Sequence, residues 1–160
     1  MQSETVRSYL DALGARTPAP ASGSGAALTG AIAAALAELA ARFSDDGAAA
    51  ARLVELRARL LALADDDAEA YTAFMRTRSD ADRSRTIDVP LAIAEAASEV
   101  AVLAGMLAEH GNPRVAGDAE AGAELAAAVT RVGARLVEIN LAGSDDPRLM
   151  RARAAVAAAS

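Results

Sequence analysis

Apolar residues along this chain recur every three or four positions, and no stretch alternates apolar and polar residues as a half-buried strand would. The pattern predicts an all-α protein, a multi-helix bundle of five to six helices with residues 1–160 as one domain. A first helix is expected over Ser3 to Leu13, with Val6, Leu10 and Leu13 on one stripe and Gly14 just past its end. Breakers follow, Thr17-Pro18-Ala19-Pro20-Ala21-Ser22-Gly23-Ser24-Gly25, where two prolines hold the chain extended and Ser22 or Ser24 is placed to cap the next helix. That second helix runs to about Arg42 with Leu28, Ile32, Leu36 and Leu39 as its stripe. Gly30, Ala34 and Ala37 lie among them, small enough for another helix backbone to come close.

A third, long helix starts at Asp45 and Asp46, and Leu53, Leu56, Leu60, Leu63, Tyr71 and Phe74 continue its stripe. Arg76 to Asp88 reads as a charged connection, and Pro90 as the first turn of a fourth helix ending near His110. Leu91, Ala94, Ala97, Ala101 and Ala104 or Ala108 would form that helix's small-residue face. Gly111-Asn112-Pro113 terminates it. After a short turn at Arg114 to Gly117, a fifth helix spans Asp118 to Leu141. Gly143 to Pro147 breaks the chain again, and Arg148 to Ala159 either forms a last amphipathic turn or two or frays.

Composition changes this picture in two ways. Of the 160 residues 53% are apolar but only 2% are aromatic, and alanine dominates, so the core is expected to be thin. Reactive side chains are scarce as well. With no Cys there can be no disulfide, thiolate metal site or cysteine nucleophile. One His, His110, is too few for a multi-histidine metal centre, and no metal is expected. All 16 basic residues are Arg, which excludes Schiff-base chemistry and the Walker lysine. A net charge of −6 argues against nucleic acid as a partner. The polar N-terminus lacks the basic and apolar regions of a secretory signal, and the apolar run from Gly25 to Ala37 is short for a membrane span. A soluble, cytoplasmic protein that does not act at a membrane is expected.

Chemistry is therefore confined to carboxylates, hydroxyls, amides and backbone dipoles. Pro20 to Gly25 leads directly into a helix whose unpaired N–H groups suit an anionic or carbonyl-bearing ligand, although a turn with a helix cap reads equally from these residues. Asp65-Asp66-Asp67 with Glu69 conflicts with helix propensity. Asp67 points with Tyr71 and Phe74 toward the apolar side, which makes it a candidate general base or cation ligand with a carboxyl raised by burial. Asp65 and Asp66 read as a solvated acidic face. His110 suits the end of a helix dipole, Asn112 a turn and Asp118 a helix start. Asn140, between Ile139 and Leu141, needs a hydrogen-bond partner from a neighbouring helix or a ligand if it is buried.

The order of these stretches resembles one known family. Pro18-Ala19-Pro20-Ala21-Ser22-Gly23-Ser24-Gly25-Ala26-Ala27-Leu28 is similar to the P-x-P-G-G-G-S-x-A-A-L stretch of the formiminotetrahydrofolate cyclodeaminase and methenyltetrahydrofolate cyclohydrolase family. Leu63 to Tyr71 resembles its acidic segment. Val89-Pro90-Leu91, Gly111-Asn112-Pro113, Asp118 and Ile139-Asn140-Leu141 resemble further elements in the same order. Ala21 and Ser22 stand where the family has glycines, the connection from Met75 to Pro90 is shorter, and Arg114 and Gly117 replace an amide and a serine.

The resemblance implies a small helical subunit that forms a homodimer or higher homo-oligomer and binds a reduced folate in a groove. It implies no cofactor beyond that tetrahydrofolate substrate. The reaction would be hydrolysis of 5,10-methenyltetrahydrofolate or cyclisation of 5-formiminotetrahydrofolate with release of ammonia. Asp67 and Ser24 would then be catalytic, with Pro20, Ser22, Gly23, Gly25, Asn112, Asp118 and Asn140 on the substrate. The rival expectation is a diverged helical subunit of the same family that binds folate or assembles without catalysing, which the lost glycines and short connection motivate.

Overall fold

The computed structural model describes residues 5–143 and 145–160. Among these residues, six α-helices and one 3-10 turn make up the regular structure: α1 (Val6–Leu13), α2 (Ser22–Phe43), α3 (Gly47–Thr77), α4 (Asp80–His110), the 3-10 turn (Pro113–Val115), α5 (Ala116–Leu141) and α6 (Arg148–Ala158). No strand occurs among the described residues. The all-α expectation holds. Ser3, expected to open the first helix, lies outside the described residues, and α1 begins after Thr5, whose side chain accepts the Ser8 N–H.

In the centre stands α2, walled by α3, α4 and α5. Its buried face is made of Ala27, Ala31, Ala34, Ala37 and Ala41. The large residues expected to form its stripe lie elsewhere: Ile32 is 52% exposed, and Leu39 is exposed as well. The reason is steric. Three helices can crowd one only where side chains are a methyl or nothing, so the small residues take the inside and leucine from α3 (Leu53, Leu56, Leu60) fills the remaining space. The first helix shows the same inversion. Val6 and Leu10 are exposed, and Tyr9 is its buried residue. The small-residue face expected on α4 does face the core at Leu91, Ala94, Ala97, Ala101 and Ala104.

Polar ties fasten the layers at their edges. The buried Glu38 of α2 receives Arg42 at 2.7 Å and Arg57 of α3 at 3.1 Å. Arg52 of α3 meets Glu99 of α4 at 2.6 Å. The chain's last helix does not fray. It docks on α4 through the buried Ser98, which donates to the Ala155 carbonyl at 2.9 Å, and Arg148 at its start reaches Ser84 and Asp88.

Between α3 and α4 the chain departs most from expectation. The charged connection expected over Arg76 to Asp88 is only Arg78 and Ser79. Ser79 caps α4 by accepting the Asp82 N–H, with Asp80 and Asp82 in the first turn where the helix dipole favours them. Pro90 is consequently not in the first turn but deep inside a 31-residue helix. An interior proline costs about 3 kcal/mol, because it removes one helical hydrogen bond and its ring crowds the carbonyl four residues back.

Helix α5 passes this same turn closely. A Cβ on Gly133 would lie 2.9 Å from the Pro90 carbonyl oxygen and 3.0 Å from both the Ala94 nitrogen and its Cβ. Glycine is what lets the two backbones touch here. Two helices, Ser22–Phe43 and Asp80–His110, are long and apolar enough to cross a membrane, but 56% of the relevant stretch of each is buried inside the bundle.

Two glycine substitutions should separate close approach from helix propensity. Gly105 in α4 has nothing within 4 Å of an added Cβ, so Gly105→Ala should stabilise by about 0.5–1 kcal/mol. Gly133→Ala gains the same propensity but must push two backbones apart, and a net loss of about 1 kcal/mol or more is expected in urea unfolding. Equal stabilisation by both would mean that α4 and α5 do not meet at Gly133.

Candidate active site

The second helix begins without a cap of its own. Its N-cap position is Ala21, which has no side chain to accept a hydrogen bond, and Ser22 and Ser24 fall inside the first turn. The expectation that one of these serines caps the helix locally is therefore corrected. The acceptor comes from α3: Asp67 Oδ2 takes the Ser24 N–H at 2.9 Å, across 43 positions of sequence. A carboxylate at a helix N-terminus satisfies an orphan N–H and meets the positive end of the dipole.

Gly23 makes the contact sterically possible. An added Cβ there would fall 2.1 Å from Asp67 Oδ1 and 2.5 Å from its Cγ, so no other residue fits beneath the carboxylate. The two substituted family glycines impose no such conflict. Ala21 has an extended backbone (φ −139°) and Ser22 is helical, so neither occupies the conformation that only glycine favours. The Ala19–Pro20 peptide bond just before them is cis.

Around this contact lies a cleft of about 260 Å³. Ser22 and Gly23 form one wall, Asp67 and Tyr71 of α3 another, and Thr86, Pro90 and Asn140 close it from α4 and α5. Asp67 is half-buried. Burial pushes its carboxyl above the ordinary aspartate range, and the Ser24 N–H draws it partly back. A carboxylate raised in this way, at the wall of a cleft, has the properties of a general base.

The residues singled out in the sequence divide into two groups. Asp67, Ser22, Gly23 and Asn140 line this one cleft, and Pro20 lines an adjoining depression with Arg76 and Arg85. Ser24 stands just behind the wall. Its hydroxyl is buried and shares a 2.9 Å hydrogen bond with the Tyr9 phenol, so its backbone N–H, not its hydroxyl, meets Asp67. Gly25 faces Leu13 of α1.

Asn112 and Asp118 are at the opposite end of α2. Asn112 donates from its Nδ2 to the Phe43 carbonyl and from its backbone to Ser44, and its Oδ1 accepts the Arg114 N–H. The 22 residues of α2 separate that end from Gly23 by about 33 Å. Asp118 sits in the first turn of α5.

Sequence reasoning missed Tyr9, Thr86 and Pro90 as parts of this region. Ser79 followed three positions later by Asp82 was the available sign that α4 starts well before its proline. For Tyr9 no local pattern distinguished it from Val6 and Leu10. Among the described residues no group of His, Cys, Asp or Glu could hold a metal ion.

Comparison with known proteins points to one family. The model of the formiminotransferase-cyclodeaminase family matches residues 5–159. Methenyltetrahydrofolate cyclohydrolase of Methylorubrum extorquens is 32% identical over 171 aligned positions, covering 90% of this chain and 82% of the relative. The crystal structure of formiminotetrahydrofolate cyclodeaminase from Thermotoga maritima superposes with a TM-score of 0.89 at 25% identity, over 99% of this chain and 92% of that one.

The raised Asp67 carboxyl has a signature in stability. Because the folded state holds this proton more tightly than the unfolded state, the native form loses stability as pH rises from the ordinary aspartate value through the raised one. Asp67→Asn keeps an oxygen acceptor for Ser24 and removes the titration. The melting temperature of Asp67→Asn relative to the parent should therefore increase from pH 4 upward and level off once Asp67 is ionised. A difference that is the same at pH 4 and pH 8 would show that burial does not perturb this group.

Proposed function

The chain belongs to the formiminotransferase-cyclodeaminase family, whose pattern spans nearly all of it, and on that premise we propose that it is a folate-dependent one-carbon enzyme with Asp67 as its proton-transfer group. The observation that carries this reading is the half-buried carboxylate held over Gly23 in a cleft with the Asn140 amide. Hydrolysis of 5,10-methenyltetrahydrofolate is the first activity to test, since the 32% identical relative bears that name. The cyclodeaminase reaction has the support of the structural match.

Both reactions work on one carbon between two nitrogens and need the same service from the protein. In the hydrolysis, water adds to the methenyl carbon and gives up a proton to Asp67. The tetrahedral adduct then breaks its bond to N5, which takes that proton, while the adduct's hydroxyl proton passes to solvent and its oxygen becomes the carbonyl of the 10-formyl compound. In the cyclisation, N10 attacks the formimino carbon and loses its proton to Asp67, which returns it to the departing ammonia. Neither route calls for a thiol or amine nucleophile from the protein or for a second cofactor.

At about 260 Å³ the cleft suits the bicyclic pterin end and not a whole folate. The glutamate tail then passes over the Ala19 rim toward Arg76 and Arg85, which line the adjoining depression. Folate is the partner in this reading, within a soluble protein of the cytoplasm. The lost glycines give no support to a non-catalytic folate-binding or assembly subunit, because Ala21 and Ser22 fit the backbone unstrained.

A second copy of the chain is the proposed partner for the outward stripe of α2. Ile32, Leu39 and Phe43 (61% exposed) repeat along one side of that helix, which a lone protomer leaves in water.

Two outcomes follow. With methenyl- or formiminotetrahydrofolate as substrate, the protein should turn over, and Asp67→Asn should lower kcat by about 10²-fold or more while a reduced folate still raises the melting temperature. Gly23→Ala, which displaces the same carboxylate, should lose activity in parallel. Absence of both turnover and folate binding in the parent would overturn the assignment; full activity in Asp67→Asn would move the proton transfer elsewhere. Separately, sedimentation should give a dimer that Ile32→Asp converts to monomer, and a monomeric parent would refute the second-copy interface.

A further inference from the structure

Pro90 has no N–H, so the Thr86 carbonyl lacks the helical donor it would ordinarily have four residues on. The Asn140 side chain supplies one: its Nδ2 donates to the Thr86 oxygen at 2.7 Å. Because a carbonyl oxygen accepts only from a donor, the bond determines which way round the amide sits. Asn140 Oδ1 is left with no protein donor among the described residues, at the wall of the cleft that also holds Asp67. Gly133, two turns back along α5, permits the close helix approach that brings Asn140 within reach.

We propose that Pro90 is a positioning residue: by leaving the Thr86 carbonyl open it anchors the Asn140 amide so that Oδ1 is presented to an N–H donor of the bound ligand. Resting on the folate reading, that donor is an N–H of the pterin ring. The device explains why a helix keeps an unfavourable proline beside its ligand cleft. In a continuous helix an N–H at position 90 would compete for the Thr86 carbonyl and draw it along the helix axis, which weakens the Asn140 anchor. The second amide of the cleft's sequence motifs, Asn112, is no substitute, since all its polar groups are engaged at the far end of α2.

A double-mutant cycle of Pro90→Ala, Asn140→Ala and the pair tests the coupling, with 5-formyltetrahydrofolate as the probe ligand. Pro90→Ala should melt no lower than the parent, since the helix regains a hydrogen bond, yet bind the folate roughly five- to tenfold more weakly. KM should rise more than kcat falls, as befits lost ligand binding and not lost chemistry. Asn140→Ala should weaken binding by a similar factor, and the double variant no further.

The side-chain amide signals of Asn140 in nitrogen–proton correlation spectra give a readout that needs no ligand. In the parent one Asn140 Nδ2 proton should exchange slowly with solvent, and in Pro90→Ala it should exchange like that of an exposed asparagine. Parent-like binding by Pro90→Ala, multiplicative losses in the double variant, or a rapidly exchanging Asn140 amide in the parent would each overturn the proposal. If Pro90→Ala does not fold, the parent's exchange and the Asn140→Ala affinity still decide it. Should the parent bind no reduced folate, the folate reading fails, and the amide exchange still reports on the anchor by itself.

Discussion

The arrangement depends on one electrostatic contact, the Asp67 carboxylate on the uncapped start of α2. A helix with alanine at its cap position leaves several N–H groups unsatisfied, and here the missing acceptor arrives from another helix. This couples fold to chemistry. The group that completes α2 is also the group whose proton affinity burial has raised, and it stays in place because Gly23 leaves it room. The opposing influences matter for function. Burial alone would favour a neutral acid, whereas the N–H and the helix dipole keep the anion accessible, and a proton shuttle needs both states within reach.

Close packing makes the contact geometrically available. Alanine on α2 and glycine on α5 bring four helices near enough that side chains from α2, α3, α4 and α5 converge at one end of the bundle. Larger core residues would hold the helices further apart and open the cleft to water. The outward leucine, isoleucine and phenylalanine of α2 are the complement of that choice, since one helix cannot turn its small face and its large face to the same neighbours.

Much of the fold was legible in the residues, and the failures have a common physical origin. Three- and four-residue spacing located the first five helices and left α6 open, but it could not say which of two apolar faces is buried. On α2 both the Leu28-Ile32-Leu36-Leu39 row and the alanine row satisfy the period, and hydrophobicity favours the wrong one. Only the crowding of three neighbours selects alanine. At Pro90 the local rule that proline opens helices outweighed the cap at Ser79, because the compensation that lets proline sit mid-helix comes from Asn140, 50 positions away. The candidate site was legible in part for the same reason. Asp67 betrayed itself by conflict with helix propensity, and Gly23 by its place before a helix. Ser24 and Asn112 stand out in the sequence, but their polar groups serve partners that no motif names: the Tyr9 phenol for one, the Phe43 carbonyl and Ser44 for the other.

A cleft built this way has an economy that bears on its chemistry. Its polar groups are few, and each is already committed on one side: Asp67 to the Ser24 N–H, and Asn140 to the Thr86 carbonyl. One oxygen of Asp67 and the Oδ1 of Asn140 are left for a ligand. Groups held from behind need not be ordered when a substrate arrives, so less conformational entropy is lost on binding. That matters for a protein with no thiol or lysine nucleophile and, among its described residues, no metal-binding cluster. Under the proposed role of Asp67, alignment of one base with one carbon is the main source of rate that its residues provide, and preorganisation by backbone carbonyls and N–H groups is how so small a bundle achieves it.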